Sequence, residues 1–469
     1  MREEPIYLEK KGGTTVYESS FDGRFFYWKG RMKMKLSKKQ LLMVSFMLFS
    51  MFFGAGNLIF PPFLGQNAGS STGAAISAFL VTAVLLPVLG VIVVAKFKGL
   101  ESLSSKVGVG FASLYTILIY LSIGPGLGIP RAASVPFEMA IAPYLPKEAS
   151  FTICMLFYSL VFFLIAMWLA LTPNKLVSRM GKFLTPTLLC LILFLFVAFL
   201  CNGHVDIGNP VGKYETNAVV VGFLEGYNTM DAIAALNFGL VISLTIRRFG
   251  LKQEDDVIHT TTKVAIAAGI ILSIIYIILA YLGMATSNLY PIQENGAWTL
   301  RYIVHDVFGD VGAILLAAIF TIACLTTCVG LITSISEFFS RRYPKFTYKQ
   351  YVFTITAVSF LICNLGLTTI LSISIPILNA IYPISIILMI LGLCDRWLYS
   401  YRYVYPVVIY TVLAESVISS LESVGLKLGF ITDLFHILPF YDLGLGWLVL
   451  VPIALAVAIG CEFLSRSKQ

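Results

Sequence analysis

The chain has 469 residues, of which 58% are hydrophobic and only 12% are charged, and its formal net charge is +8. Its mean hydropathy of +0.86 does not fit a soluble globular protein, in which about 25% of residues are charged. The composition excludes a soluble enzyme or binding domain and predicts an integral membrane protein with many spans.

Residues 1–40 form a polar segment that contains ten Lys and Arg residues. We predict that it is a disordered cytoplasmic tail. The aromatic run at residues 25–28 leaves open an alternative in which the tail touches the membrane surface.

Twelve apolar stretches follow the tail, and most are long enough to cross a bilayer as helices. They predict an all-α polytopic membrane protein embedded in the lipid bilayer. The predicted spans are residues 41–64, 73–95, 111–130, 151–171, 183–201, 218–245, 263–284, 311–338, 351–366, 370–393, 404–424 and 444–464.

The distribution of basic residues predicts the orientation, because cytoplasmic loops are enriched in Lys and Arg. With a cytoplasmic N-terminus, the tail, the inner loops and the C-terminal end hold 28 of the 33 basic residues, and the outer loops hold Arg131 and four others. Both termini are therefore predicted to be cytoplasmic. The net charge follows from this bias, so we expect no nucleic-acid partner.

The first span is interrupted by Ser50–Pro62, which contains Gly54, Gly56, Asn57, Pro61 and Pro62. Glycine lowers the cost of leaving helical geometry and lets other groups approach the backbone. We predict that Asn57 caps a helix that restarts there, which places Pro61 in its first turn. Broken helices form the solute sites of secondary transporters, although a Gly/Pro kink or a tight helix crossing explains the pattern equally well.

The third span ends in Ile123–Glu138, where Gly and Pro are frequent. This composition indicates an irregular segment. It either lines a cavity or forms an ordinary outer loop.

The sixth span contains Glu225–Asn237, with Asp231 near its centre. A charged residue there costs about 2.5–3.5 kcal/mol on insertion scales and usually marks a site or an internal pair. Asn228, Thr229 and Asn237 add further polar groups. We favour a second break over the alternative, a polar cluster that holds helices together.

The eighth span carries Ala323, Thr326 and Thr327 at helical spacing i, i+3 and i+4, so two hydroxyls share one face. Such oxygens suit a hard cation such as sodium. Threonine hydroxyls also commonly bond to carbonyls of their own helix, and the pattern by itself does not separate these alternatives.

Other kinds of site find little support in the sequence. Cys324 and Cys328 lie one helical turn apart, but two thiols without further ligands are more often packing residues than a metal site. The chain contains no Walker A sequence and no cluster of residues at catalytic spacing. We therefore predict neither ATP-driven transport nor an enzyme, and no cofactor apart from a coupling ion.

The positions of the two breaks favour an inverted repeat. The first span runs outward and the sixth runs inward, five spans later, as in transporters whose halves are related by an axis in the membrane plane. We predict a first five-helix repeat at residues 41–201, a second, inverted one at 218–393, and two additional helices at 404–464.

Four motifs together resemble one known family, the bacterial branched-chain amino acid:cation symporters, also called system II carriers. They are Phe53–Pro62, Ile123–Gly126, Ile129–Arg131 and Glu225–Asp231. The resemblance extends over about residues 34–464. It implies the leucine-transporter fold, location in the cell membrane, and uptake of leucine, isoleucine and valine by symport with sodium, or with protons in some members.

The resemblance also implies site residues. Gly54, Ala55, Gly56 and Asn57 match the unwound first helix that holds a substrate carboxylate, and residues Tyr227, Asn228, Thr229 and Asp231 line the substrate from the sixth span. Ala323, Thr326 and Thr327 match a sodium site on the eighth span that carbonyls of Ser50 and Phe53 complete. Asp231 has no counterpart in the wider fold, so its role stays open.

The main alternative is a cation symporter of the same fold for another amino acid or a nucleobase. A channel is disfavoured, because no span shows a continuous polar lining. The choice between sodium and protons and the oligomeric state stay open.

Overall fold

The computed structural model describes residues 6–11, 14–21, 24–30, 36–146, 148–293, 295–426 and 429–466. From Lys38 onward the regular structure of these residues is helical. Of the basic residues in the tail, Arg2, Arg31, Lys33 and Lys35 lie outside the described part.

The tail differs from the prediction of disorder, because it contains three strands, β1 (Ile6–Lys11), β2 (Thr14–Phe21) and β3 (Arg24–Gly30). They pair in sequence order as an antiparallel sheet. The sequence between them reads Gly-Gly and then Asp-Gly, and a two-residue pair of this type between two strand-forming runs is the pattern of a β-hairpin. The prediction relied on polarity and did not use this sequence pattern, so the all-α class applies from residue 38 onward.

The helices follow the predicted spans in order. They are α1 (Lys38–Phe52), α2 (Ala55–Ala68), α3 (Thr72–Leu80), α4 (Leu86–Phe97), α5 (Leu100–Ser104), α6 (Val109–Leu121), α7 (Gly128–Pro136), α8 (Phe151–Ala170), α9 (Thr185–Asn202), α10 (Tyr214–Tyr227), α11 (Asp231–Arg248), α12 (Glu254–Ala285), α13 (Gly296–Phe308), α14 (Gly312–Arg342), α15 (Tyr348–Cys363), α16 (Leu367–Leu393), α17 (Asp395–Leu398), α18 (Val404–Ser423), α19 (Phe430–His436) and α20 (Trp447–Arg466).

The number of spans depends on how the broken helices are counted. In the described part of the chain, nine helical segments are long and apolar enough to cross a membrane, or ten when α10 and α11 count as one bent span. The two predicted spans missing from this count contain α1 and α15, which have 15 and 16 residues. A helix needs about 20 residues to cross the hydrocarbon core alone, and α1 reaches that length only together with α2.

The structure confirms the breaks in the first and sixth spans. Helix α1 ends at Phe52, and Gly54 has an extended conformation (φ −126°, ψ −153°) before α2 begins. Helices α10 and α11 meet at an angle of 41°. Met230 between them has φ 67°, a conformation that non-glycine residues seldom adopt.

The start of α2 differs from the prediction. The helix restarts after Gly54, not at Asn57, and the Asn57 side-chain oxygen accepts a hydrogen bond from the Gly54 N–H at 3.0 Å. Asn57 therefore caps the helix from inside its first turn. Pro61 lies in the helix interior, where its missing N–H leaves the Asn57 carbonyl without its usual helical donor.

Small residues hold the broken first span against its neighbour α12. A Cβ added to Gly65 of α2 would lie 2.0 Å from the Ala280 carbonyl oxygen, and one added to Gly283 of α12 would lie 2.0 Å from that of Pro62. Only glycine permits this backbone approach, as is common between membrane helices. The contact fixes α2 beside the C-terminal end of α12.

The predicted orientation can be tested with epitope tags in two short connections. We expect a tag inserted after Gln253, between α11 and α12, to bind antibody only after cells are permeabilised, because the flanking residues are rich in Lys and Arg. A matched tag after Gly212, before α10, should bind antibody on intact cells. Surface labelling of the first tag would contradict both the span order and the orientation.

Candidate substrate and cation site

A central cavity lies where the breaks of the first and sixth spans meet, and α7 of the third span and α14 also line it. Its accessible volume is only about 50 Å³, below the ~300–1,000 Å³ of typical small-molecule pockets, so the cavity is nearly closed in this structure. The predicted site residues that line it are Gly54, Ala55, Gly56, Asn57, Thr229, Asp231 and Thr327. The apolar side chains on its wall include Met51, Phe52, Ile123 and Leu331.

Asp231 is the first residue of α11, and only 2% of its surface is exposed. Its carboxylate accepts hydrogen bonds from Asn57 Nδ2 at 2.5 Å and from the Tyr276 hydroxyl at 2.9 Å. Asn57 Nδ2 also contacts the Tyr276 hydroxyl. A carboxylate at a helix N-terminus is favoured by the helix dipole, and hydrogen-bond donors are what a buried charge requires. Asp231 therefore connects the two broken spans to each other and to α12.

Arg131 lies at the same cavity, which corrects its assignment to an outer loop. It belongs to α7 and is 8% exposed. Its guanidinium lies 5.7 Å from the centre of the Phe60 ring, and Nη1 donates to the Asn228 carbonyl at 3.5 Å. The count of basic residues assumed that the third span ends at residue 130, but the chain breaks at Gly124 and continues as a helix through Pro136.

The Gly/Pro-rich end of the third span therefore lines the cavity and does not form an outer loop. Gly124 has φ −84° and ψ −121°, which interrupts the helix. Ile123, Gly128, Arg131 and Ala132 all contribute to the cavity wall. The motif around Arg131 was the signal in the sequence, but no side chain in it was predicted to bind substrate.

Gly56 is in close contact with both neighbouring spans. A Cβ added there would lie 3.1 Å from Arg131 Nη2, 3.2 Å from Phe60 Cε2 and 3.3 Å from Thr229 Cα. No side chain therefore separates the Gly56 backbone from the guanidinium or from the sixth span. Any side chain at this position would narrow the cavity.

The residues of the predicted cation site lie on two helices that meet. The Thr327 hydroxyl of α14 donates to the Ser50 carbonyl of α1 at 3.3 Å, although 277 residues separate them. A Cβ added to Gly54 would lie 2.8 Å from Thr327 Oγ1, so Thr327 also lies against the end of the first half-helix, next to Phe53 in the chain. The Thr326 hydroxyl donates to the Ala323 carbonyl of its own helix at 2.9 Å. Thr327 bridges the two helices. Thr326 instead bonds to a carbonyl of its own helix, which is the alternative to a cation site given in the sequence analysis.

The remaining predicted substrate residues surround the sixth-span break. The Thr229 hydroxyl donates to the Gly226 carbonyl at 2.9 Å, and the Asn228 carbonyl accepts from Arg131. Tyr227 stacks on Tyr382 with ring centres 4.4 Å apart and lines a neighbouring cavity that also contains Glu415 and Trp447. Its side chain thus lines this neighbouring cavity and not the central one.

Comparison with known proteins identifies the family. The model of the family described as branched-chain amino acid transport protein matches residues 37–465. The chain belongs to this family. It is a multi-pass membrane transporter and not an enzyme, and the resemblance inferred from the four motifs is confirmed.

Two bacterial relatives show how far the similarity extends. The branched-chain amino acid permease BraB of Bacillus subtilis is 37% identical over 446 residues, which cover 93% of this chain and 99% of the permease. The branched-chain amino acid transport system 2 carrier protein of Pseudomonas aeruginosa is 39% identical over 428 residues, covering 90% of this chain and 96% of the carrier.

Solved structures establish the fold class. MhsT in complex with L-phenylalanine matches with a TM-score of 0.51 and 15% identity, covering 91% of this chain and 99% of MhsT. A mutant of the Eremococcus coleocola manganese transporter matches with a TM-score of 0.51 and 11% identity, covering 91% and 96%. At these identities the likeness concerns the fold alone, and it confirms the predicted leucine-transporter architecture.

Replacing Gly56 with valine should abolish transport without removing the protein from the membrane. The added side chain crowds Arg131 and Thr229, and overpacking of ~1–3 kcal/mol at a binding site lowers affinity by about 5–150-fold. Uptake of labelled leucine and the amount of protein in the membrane are measured together. Gly460→Val in α20 is the matched control, because a Cβ there meets nothing within 4 Å. If the Gly56→Val variant took up leucine normally, the break would be a packing feature and not a binding site.

Proposed function

We propose that this protein imports leucine, isoleucine and valine across the cell membrane by symport with sodium, through alternating access. Family membership and the names of the two bacterial relatives support this class of substrate. The single observation that carries the site assignment is the cavity at the two helix breaks, with Asp231 on its wall. Both termini are proposed to be cytoplasmic, in keeping with the distribution of basic residues.

The chemistry of the cavity suits an α-amino acid. Helix N-termini carry partial positive charge and helix C-termini partial negative charge, so the N–H groups of Gly54–Asn57 favour a carboxylate. The carbonyls at the end of α10 and the Asp231 carboxylate favour an ammonium group. The side chains of Met51, Phe52, Ile123 and Leu331 provide an apolar wall for an aliphatic side chain. Tyr227 borders this site from its neighbouring cavity.

The coupling ion is proposed to bind among oxygens of Ser50, Phe53, Ala323, Thr326 and Thr327. This set consists of carbonyl and hydroxyl oxygens, the ligands that hard cations prefer. The contact between Thr327 and Ser50 supports it, because it brings oxygens of α14 to the end of α1. One sodium ion that enters down 100 mV supplies about 2.3 kcal/mol, enough for about fiftyfold accumulation of substrate.

Uptake into proteoliposomes tests the substrate and the coupling together. We expect an inward sodium gradient to stimulate accumulation of labelled leucine, isoleucine and valine. Leucine amide, which lacks the carboxylate, should compete poorly with leucine. If a proton gradient alone stimulated uptake, protons and not sodium would be the coupling ion. Preference for an aromatic amino acid or a nucleobase would overturn the substrate assignment.

Replacing Thr327 with alanine should weaken sodium coupling. Loss of one hydroxyl ligand, at ~0.5–1.5 kcal/mol, corresponds to an increase of about 2–10-fold in the half-saturating sodium concentration. Thr326→Ala should act in the same direction. Thr321→Ala, on the same helix but bonded to Tyr158, is the matched control and should keep the parent's sodium response. If both site variants respond like the control, the two hydroxyls are structural.

A further inference from the structure

Arg131 is a buried cation, and among the described residues no carboxylate lies within ion-pair distance of its guanidinium. In the described part of the chain its guanidinium forms no ion pair, and the one recorded side-chain hydrogen bond is the 3.5 Å contact with the Asn228 carbonyl. The Phe60 ring beside it contributes a cation–π contact, which replaces little of the lost hydration. Burial of a charge is costly unless the charge is paired. An anion bound in direct contact with the guanidinium would therefore offset a cost that Asp231, which acts only across the cavity, does not fully offset.

The opposite charge lies on the wall of the same cavity. The Asp231 carboxylate receives its hydrogen bonds from two neutral groups, Asn57 and Tyr276, and the Arg131 charge attracts it across the cavity without a direct ion pair. The cavity thus presents one cationic and one anionic group that are not in direct contact. A zwitterion supplies the counter-charge for both groups at once, whereas a simple anion or cation supplies only one.

We propose that the Arg131 guanidinium binds the α-carboxylate of the transported amino acid while the Asp231 carboxylate accepts its α-ammonium group. This assignment rests on the proposed function and deepens it by naming Arg131 as a further substrate-binding residue. The guanidinium lies against Gly56, so a carboxylate in contact with Arg131 also reaches the N–H groups at the start of α2. Two charged contacts select α-amino acids. They reject amines and carboxylic acids with the same aliphatic side chain, and they also reject uncharged nucleobases.

Two analogues of leucine separate the contacts. Leucinol keeps the ammonium group and replaces the carboxylate by an alcohol, whereas isocaproate keeps the carboxylate and lacks the ammonium group. Binding of labelled leucine to the purified protein is measured in competition with each. We expect the parent to prefer leucine over either analogue by about a hundredfold or more, since charge-assisted hydrogen bonds are the strong ones.

Arg131→Gln should weaken discrimination against leucinol and leave discrimination against isocaproate. The leucine-to-leucinol affinity ratio should fall by about tenfold or more, because the lost contact is made only with the carboxylate, while the N–H groups at the start of α2 keep part of the preference. If Arg131 had only a structural role, the substitution would lower the affinity for leucine, leucinol and isocaproate by the same factor and leave the affinity ratios unchanged. Arg301→Gln is the matched control, because Arg301 packs on Tyr144 and Trp298 away from the cavity, and its ratios should equal those of the parent.

Arg131→Lys keeps the test decisive if the glutamine variant does not fold. Lysine keeps the charge but not the two-pronged geometry of guanidinium, so leucine affinity should fall by about tenfold while leucinol affinity stays within about twofold. Equal losses for both ligands overturn the proposal, as does a parent that binds leucinol as tightly as leucine. A parent that binds none of the three branched-chain amino acids overturns the proposed function itself.

Discussion

The hydrogen bonds among Asn57, Asp231 and Tyr276 join the two broken spans at the centre of the protein. Backbone groups freed by a break within a bilayer must be satisfied by protein or by a cavity, because lipid offers no partners. Asn57 meets this requirement at the first break, because its oxygen accepts from the Gly54 N–H, and its nitrogen also donates to the buried Asp231 carboxylate. The breaks and the buried carboxylate therefore stabilise each other, and the cavity forms where they meet.

Close packing keeps this arrangement in place. The glycine contacts between α2 and α12 hold the C-terminal third of α12 in place, and Tyr276 of that segment donates a hydrogen bond to Asp231. The break at Gly124 places Arg131 at the cavity, because the third span restarts there as α7. In both cases small or irregular backbone segments place a polar side chain that a regular helix would have directed elsewhere.

The contact between Thr327 and Ser50 gives the proposed coupling a physical basis. It joins α14 to the last turn of α1, four residues before Gly54, so a cation bound there would hold the end of the first half-helix. The proposed carboxylate contacts begin on the other side of the same break. A ligand at either position stabilises the same backbone geometry, which is how two sites become thermodynamically linked.

The sequence by itself determined the membrane class, the order of the spans and the positions of the two breaks, because these follow from local composition. Long apolar stretches require a bilayer, and Gly54, Gly56 and Asp231 disfavour an uninterrupted helix wherever the rest of the chain lies. Only the tertiary structure decided which groups meet. The bond between Asn57 and Asp231 joins residues 174 positions apart, and the burial of Arg131 depends on how α7 packs against the first and sixth spans. Local patterns carry no record of such contacts, so a count of basic residues placed Arg131 in an outer loop, while packing placed it beside the cavity.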